Sequence, residues 1–334
     1  MDLNMCQSAL ATFAGKRVLV IGDLMLDEHI WGTAERISPE APVMVVNVDS
    51  REGRAGGAAN VANNIRALGA QATVVGLIGD DEGGAMLRAC LEGSGIDTGG
   101  LIIDKHRMTT RKTRIWASHR QQVVRVDHES RKKASAGAVK RITDYIESVA
   151  ADHDALLISD YDKGVVTREV AVAAIKAAQR AGKVSASNPK PRNMHYFAGI
   201  DVIQLNQAET MSASGLDISE RADVEKAARK LLGSIGCGSI VITRGPRGLA
   251  VCDQSSGLVH VPAVVSEVYD SVGAGDTVIS MLTLGLASGL GVRESAVIGN
   301  CAAGVVVRKV GVTTTTLDEI SSMLVSSWSQ FASL

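Results

Sequence analysis

The chain has 334 residues, 46% of them hydrophobic, and its 35 Lys and Arg against 36 Asp and Glu leave a formal net charge of −1. That supplies the core of one large α/β domain with an inserted module, or of two domains, while the balanced charge and 3% aromatic content exclude the cationic, base-stacking surface that nucleic acid needs. No window approaches the roughly 20 apolar residues of a membrane span and the first residues lack a secretory signal, so the cytoplasm is the expected location. Cys6, Cys90, Cys237, Cys252 and Cys301 are scattered without metal-ligand spacing and read as reduced thiols.

Residues 17–22, Arg-Val-Leu-Val-Ile-Gly, form a short apolar run ending in glycine, as expected of a parallel strand buried on both faces. A β-rich run follows at 42–48, then a helix over 58–68, a strand over 73–78 and a helix over 84–92, which is a βαβ rhythm. Residues 109–127 break it: Thr-Arg-Lys-Thr-Arg-Ile-Trp and Gln-Val-Val-Arg-Val-Asp predict two strands joined by a polar turn around His119 and Arg120. The βα pattern resumes with a helix over 140–149, a strand over 155–159, a helix over 170–181 and a strand over 202–205. A helix over 223–232, a strand over 239–243, hairpin-like pieces at 249–265 and helices over 277–289 and 292–307 complete the pattern. The expectation is a single unit over residues 1–334, a Rossmann-like αβα sandwich. A small β lid is drawn from residues about 38–53 and 107–127, with no linker between independent domains.

The strongest chemical signal is Asp270-Ser-Val-Gly-Ala-Gly-Asp276 ahead of an apolar helix. Small residues there let backbone N–H groups converge on an anion at a helix N-terminus, with a carboxylate beside them. Phosphoryl transfer requires both: donors for the charge of the transferring group and a base for the incoming hydroxyl. The alternative is a Gly-rich turn in which Asp276 only caps a helix.

Taken in order, Gly56-Gly57-Ala-Ala-Asn60, Asn206-Gln-Ala-Glu209 and Asp270-Ser-Val-Gly-Ala-Gly-Asp276 resemble the ribokinase (PfkB-type) carbohydrate kinase family, over residues from about 17 to 319. The resemblance implies a ribokinase-like fold with a β-sheet lid over the sugar, ATP and Mg²⁺ as co-substrates, and a homodimer formed through the lid. It implies Asp276 as the base, with Gly273, Ala274 and Gly275 supplying the anion hole. Asn206 and Glu209 match the pair that positions Mg²⁺ and its waters, a role suited to hard oxygen ligands; a solvated helix start is the plainer alternative. Thr243-Arg-Gly245 resembles the nucleotide-phosphate turn. Lys190 lies where the chain passes beneath the phosphates, either neutralising them or serving as a solvated loop charge. The Ala-rich stretch from Asn300 would line the adenine, or simply pack a helix.

At the sugar end the resemblance points to Asp27 and Asn60 as contacts to hydroxyls, with Asp23 either joining them or capping a turn. Gly56 and Gly57 would line the same place. Arg36-Ile-Ser-Pro-Glu-Ala-Pro-Val43 and Ser159-Asp-Tyr-Asp-Lys-Gly164 further resemble bacterial heptose-7-phosphate kinases. That implies ATP-dependent phosphorylation of D-glycero-D-manno-heptose 7-phosphate at O1, a step toward ADP-heptose and the lipopolysaccharide core. A substrate already carrying phosphate needs cations at the end remote from Asp276. Lys112 and Arg114, alternating onto one strand face, with Arg125 and Lys163, are the candidates; an exposed cationic hairpin face is the alternative.

Two departures from the family pattern stand out. Ser271-Val272 replaces the usual Thr-Thr, which leaves a monovalent-cation site open, and none of the seven histidines sits in a His-x-Gly-His nucleotidyltransferase motif, so a kinase alone is expected. A kinase for an unphosphorylated sugar such as ribose or fructose, or a non-catalytic sugar or nucleotide sensor, are the competing readings. A dinucleotide oxidoreductase is not, because Gly22-Asp-Leu-Met-Leu-Asp27 lacks the G-x-G-x-x-G pattern.

Overall fold

The computed structural model describes residues 1–117, 121–254, 257–264 and 267–334. The polar turn expected around His119 and Arg120 and the end of the 249–265 piece, at Val265, lie outside the described residues. The larger sheet contains β1 (Arg17–Gly22), β4 (Gln71–Ile78), β5 (Asp97–Ile103), β8 (Ala155–Ser159), β9 (Val184–Asn188), β10 (Val202–Asn206), β11 (Ser239–Thr243), β12 (Leu249–Asp253) and β13 (Gly257–Val261). Its order is β13-β12-β11-β10-β9-β8-β1-β4-β5. All pairings from β11 to β5 are parallel, and β12 and β13 add antiparallel at one edge.

Strand β1 shows why this sheet is sandwiched. Val18 and Val20 enter one core and Leu19 and Ile21 the other, the period-two alternation of a strand buried on both faces. The first core is filled by α1 (Leu3–Thr12), α2 (Ala58–Ala67), α3 (Glu82–Gly93), α8 (Ala274–Ala287), α9 (Val292–Val306) and α10 (Leu317–Ser327). The second is filled from α4 (Ala136–Val149), α5 (Arg168–Ala181) and α7 (Arg221–Ile235), beside the short α6 (Gln207–Ser214). Helix α8 is apolar on nearly every side and buried from Asp276 to Gly285, which is what a central helix requires.

The second sheet, order β3-β2-β6-β7, combines β2 (Leu24–Ile37), β3 (Met44–Gly57), β6 (Arg111–Ala117) and β7 (Gln121–His128). It is the lid. It reaches further into the chain than expected, because the 14 residues of β2 run directly out of the main sheet after Asp23 and pair with β3 along nearly their whole length.

Candidate active site

The chain order places β4 and β5 on one side of β1 and β8 onward on the other, so connections diverge between β1 and β8. In such sheets the crevice beyond the carboxyl ends at the divergence is where ligands bind. A cavity of about 700 Å³ opens there. It runs from Asp27, Lys112 and Arg114 of the lid, past Asn60 and Asp276, to Thr243, Gly245 and Asn300.

Asp276 occupies the first turn of α8. Gly273, at φ +84°, caps that helix; the left-handed conformation is one that glycine adopts without steric cost, and it turns the chain sharply into the helix. Gly273, Ala274 and Gly275 line the cavity with Asp276; the leading N–H groups of a helix have no intrahelical acceptors, and that of Ala274 donates to the Ser271 carbonyl at 3.3 Å. The Asp276 carboxylate is nearly buried and doubly held. Asn60 Nδ2 donates to Oδ2 at 2.6 Å and the Tyr161 hydroxyl donates to Oδ1. Burial pushes the Asp276 carboxyl above the usual range, while the bonds from Tyr161 and Asn60 and the charge of Lys190 pull it back.

At the sugar end, Arg114 Nη1 lies 2.8 Å from Asp27 Oδ1, and both face the cavity. A Cβ at Gly56 would stand 2.8 Å from Asp27 Oδ2, so glycine is what lets that carboxylate lie against the backbone. Gly57 lines the cavity. Lys112 does too, with its ammonium 3.2 Å from Asp127 and 3.7 Å from Glu129.

Four residues expected at the sugar end are not in the cavity wall: Gly56, which backs the Asp27 carboxylate instead, and Asp23, Arg125 and Lys163. Asp23 is 1% exposed and accepts backbone N–H groups from Tyr161, Lys163 and Val165 at 2.8 to 3.0 Å; it is the turn-capping alternative, with its oxygens already satisfied. Arg125 pairs across the strands with Arg114 and turns its guanidinium to Asp127. Lys163 is nearly buried, with its ammonium 2.6 Å from Glu129.

At the opposite end, Asn206 and Glu209 form a reciprocal capping box at the start of α6, and Lys190 Nζ lies 2.6 Å from Glu209 Oε1. Asn206 and Glu209 thus cap a helix start, and all three residues also line the cavity. Asn188 Oδ1, in the same wall, is buried without a hydrogen-bond partner. One carboxylate with amide oxygens suits Mg²⁺. Because the Asn206 and Glu209 oxygens already accept bonds, they fit an ion held through its waters better than one ligated directly. Among the described residues no cluster of three or more His, Cys, Asp or Glu is placed to hold a metal. Thr243 ends β11 and Gly245 opens the short helical turn after it, and Asn300 donates to the Pro262 carbonyl at 2.7 Å; all three line the cavity.

Tyr161, Asn188 and Gln204 line the cavity without having been singled out. Position was the available signal: Tyr161 stands two residues beyond β8, while Asn188 and Gln204 lie at or near the carboxyl ends of β9 and β10.

Residues 16–319 match the family described as pfkB family carbohydrate kinase. The chain belongs to the pfkB family of carbohydrate kinases. It is 43% identical over 304 residues to "Bifunctional protein HldE" of Citrifermentans bemidjiense, covering 91% of this chain and 62% of that protein. It is 44% identical to the protein of the same name from Geotalea uraniireducens, with the same coverage. The pfkB-family chain thus spans less than two thirds of the length of these relatives. Its fold is that of Escherichia coli phosphofructokinase-2 in its tetrameric inhibited form, with a TM-score of 0.77 at 20% identity, covering 93% of this chain and 99% of that one. Arabidopsis thaliana ribokinase complexed with ribose and ATP shares it, with a TM-score of 0.72 at 16% identity over 92% and 98% of the two chains. Among the described residues no helix is long and apolar enough to cross a membrane.

Proposed function

We propose that the chain transfers the γ-phosphate of ATP to O1 of D-glycero-D-manno-heptose 7-phosphate, giving the 1,7-bisphosphate and ADP. One observation carries this reading: a single cavity joins the Asp276 helix start to two lid cations, Lys112 and Arg114, at its other end. The heptose rests on the resemblance of residues 36–43 and 159–164 to heptose-7-phosphate kinases, alongside the likeness to two proteins named HldE.

In this reading Asp276 accepts the proton of the attacking hydroxyl. The new O–P bond forms as the bond from phosphorus to the β,γ-bridging oxygen breaks, and ADP leaves with that electron pair. The N–H groups at Gly273, Ala274 and Gly275 face the charge of the transferring group. Lys190 neutralises it further, while Thr243, Gly245 and Asn300 hold the nucleotide. Asn206 and Glu209 would hold Mg²⁺ through its waters, and the ion supplies charge neutralisation at the phosphates. Asp27 and Asn60 orient the sugar hydroxyls, and Lys112 with Arg114 takes the 7-phosphate. The whole chain acts as one kinase unit beneath its lid. Two copies pair through the lid, whose β3 and β7 edges have no partner strand among the described residues and expose Val48, Val124 and Val126.

The test is a panel of sugars and sugar phosphates with ATP and Mg²⁺, read by ADP release, on the protein and on Asp276→Asn. Turnover should fall by about three orders of magnitude or more, since base and positioning act together. A folded Asp276→Asn protein with near-normal turnover refutes the base.

A further inference from the structure

The turn from Ser159 to Gly164 supplies no group to the reaction above, since Lys163 does not reach the cavity, yet it is built at evident cost. Among the described residues Asp162, at φ +57°, is the one non-glycine residue with positive φ, a conformation that costs about 1 kcal/mol or more. Two buried carboxylates hold the turn. Asp23 takes the N–H groups of Tyr161, Lys163 and Val165, and Asp160 takes those of Asp162 and Lys190 and the amide of Asn193 at 2.8 to 3.0 Å. A surface connection needs neither the strain nor the buried acids.

What the turn delivers is the Tyr161 side chain. Its ring lies beneath Lys190, with Nζ 5.5 Å from the centroid, and its hydroxyl donates to Asp276 Oδ1. Asn60 occupies the other oxygen. A carboxylate has about four lone-pair sites, so two donors on different oxygens stop it rotating and still leave acceptor sites for a substrate hydroxyl. We infer that Tyr161 is a positioning residue for the phosphoryl transfer: its phenol fixes the Asp276 carboxylate toward the acceptor hydroxyl, and the strained Ser159–Gly164 turn exists to aim it.

The charged groups around Asp276 are consistent with that role. Asp27 from β2 raises its proton affinity and Lys190 from the segment after β9 lowers it, while Arg114 from β6 is engaged with Asp27. Glu209 lies beyond Lys190. The Tyr161 phenol itself is pushed well above its ordinary range by burial and by Asp276, so it stays a donor throughout the working pH range. Its removal takes away a bond that favours ionised Asp276 against the effect of burial.

The inference rests on Asp276 being the base, so Tyr161→Phe, Asp276→Asn and the unaltered protein are compared on one sugar phosphate. Tyr161→Phe should lower kcat about 10- to 100-fold, the worth of one hydrogen bond to a charged group. The sugar KM should stay within about 2-fold, and the acid limb of the kcat/KM profile should move to higher pH. Unchanged kcat, a KM that rises in step, or a stationary acid limb overturns it. Uniform replacement of the four tyrosines by a fluorotyrosine, whose phenol is a stronger donor, supplies a measurement that needs no mutant to fold. It should move the limb to lower pH, and no movement overturns the inference. An unaltered protein inactive on every sugar phosphate instead overturns the proposed substrate, and an active Asp276→Asn overturns the base assignment, and either takes this inference with it.

Discussion

Lys112→Met tests where the substrate's own phosphate is held. Arg114 is the less informative partner, because its bond to Asp27 at 2.8 Å ties it to the sugar hydroxyls, so its loss would harm phosphorylated and unphosphorylated substrates alike. Lys112 has no such tie. Its side chain is 21% exposed, and its neighbours are Asp127 and Glu129. Two unit charges about 4 Å apart at an effective dielectric of about 20 attract by about 4 kcal/mol. Partial neutralisation by the two carboxylates and by solvent reduces this to about 2 kcal/mol, or roughly a 30-fold loss of kcat/KM for heptose 7-phosphate. Free heptose should lose less than about 3-fold, because the side chain has nothing on it to bind. The assay is coupled ADP release with both sugars at fixed Mg²⁺, and the quantity that matters is the ratio of their kcat/KM values. An unchanged ratio, whether both substrates suffer or neither does, refutes the assignment of the 7-phosphate to this end of the cavity.

Two further outcomes concern the buried acids. The Asp160 carboxyl is raised to about 6, first by burial and then by the charge of Asp23. A raised folded-state value means that its contribution to stability is complete below about pH 4 and is lost as the pH climbs through about 6, on the order of 3 kcal/mol in all. Asp160→Asn should therefore flatten the dependence of unfolding free energy on pH between about 4 and 7 in denaturant titrations, and an unaltered slope contradicts the shift. Asp23→Asn should lower stability by about 1 to 3 kcal/mol, because an amide group then faces backbone donors, while the sugar KM of the remaining folded protein stays put. A large rise in KM with intact stability would return Asp23 to the sugar site.

Elements whose pattern matches their environment were legible in the residues. β1, β8 and β11 are continuous apolar runs because both faces are covered, and α2, α8 and α9 follow with their caps or glycine turns. Among the strands that escaped notice, β9 and β2 lack that signature. Val184-Ser-Ala-Ser-Asn188 is a central strand made of small polar residues, with Ser185 and Ser187 hydrogen-bonded to Asp201 and to the Ile158 carbonyl, so no hydrophobic run marks it. β2 carries Asp27, Glu28 and His29 in succession: Asp27 faces the cavity, Glu28 is buried against Arg51 and Thr113, and His29 stacks on Trp116. The site divides in the same way. Asp276, Asn60, Asp27 and the turn glycines come with motifs, whereas which cations face the cavity depends on partners far away in the chain. Lys112, Arg125 and Lys163 each carry one charge and each pairs with Asp127 or Glu129, yet of the three only Lys112 lines the cavity. The same pairing would keep the lid cations from being an unsatisfied charge before substrate arrives: a phosphate entering beside Lys112 competes with carboxylates already there. Selectivity at this end would then be an exchange of anions, with a sugar lacking the phosphate leaving the existing ion pairs as they were.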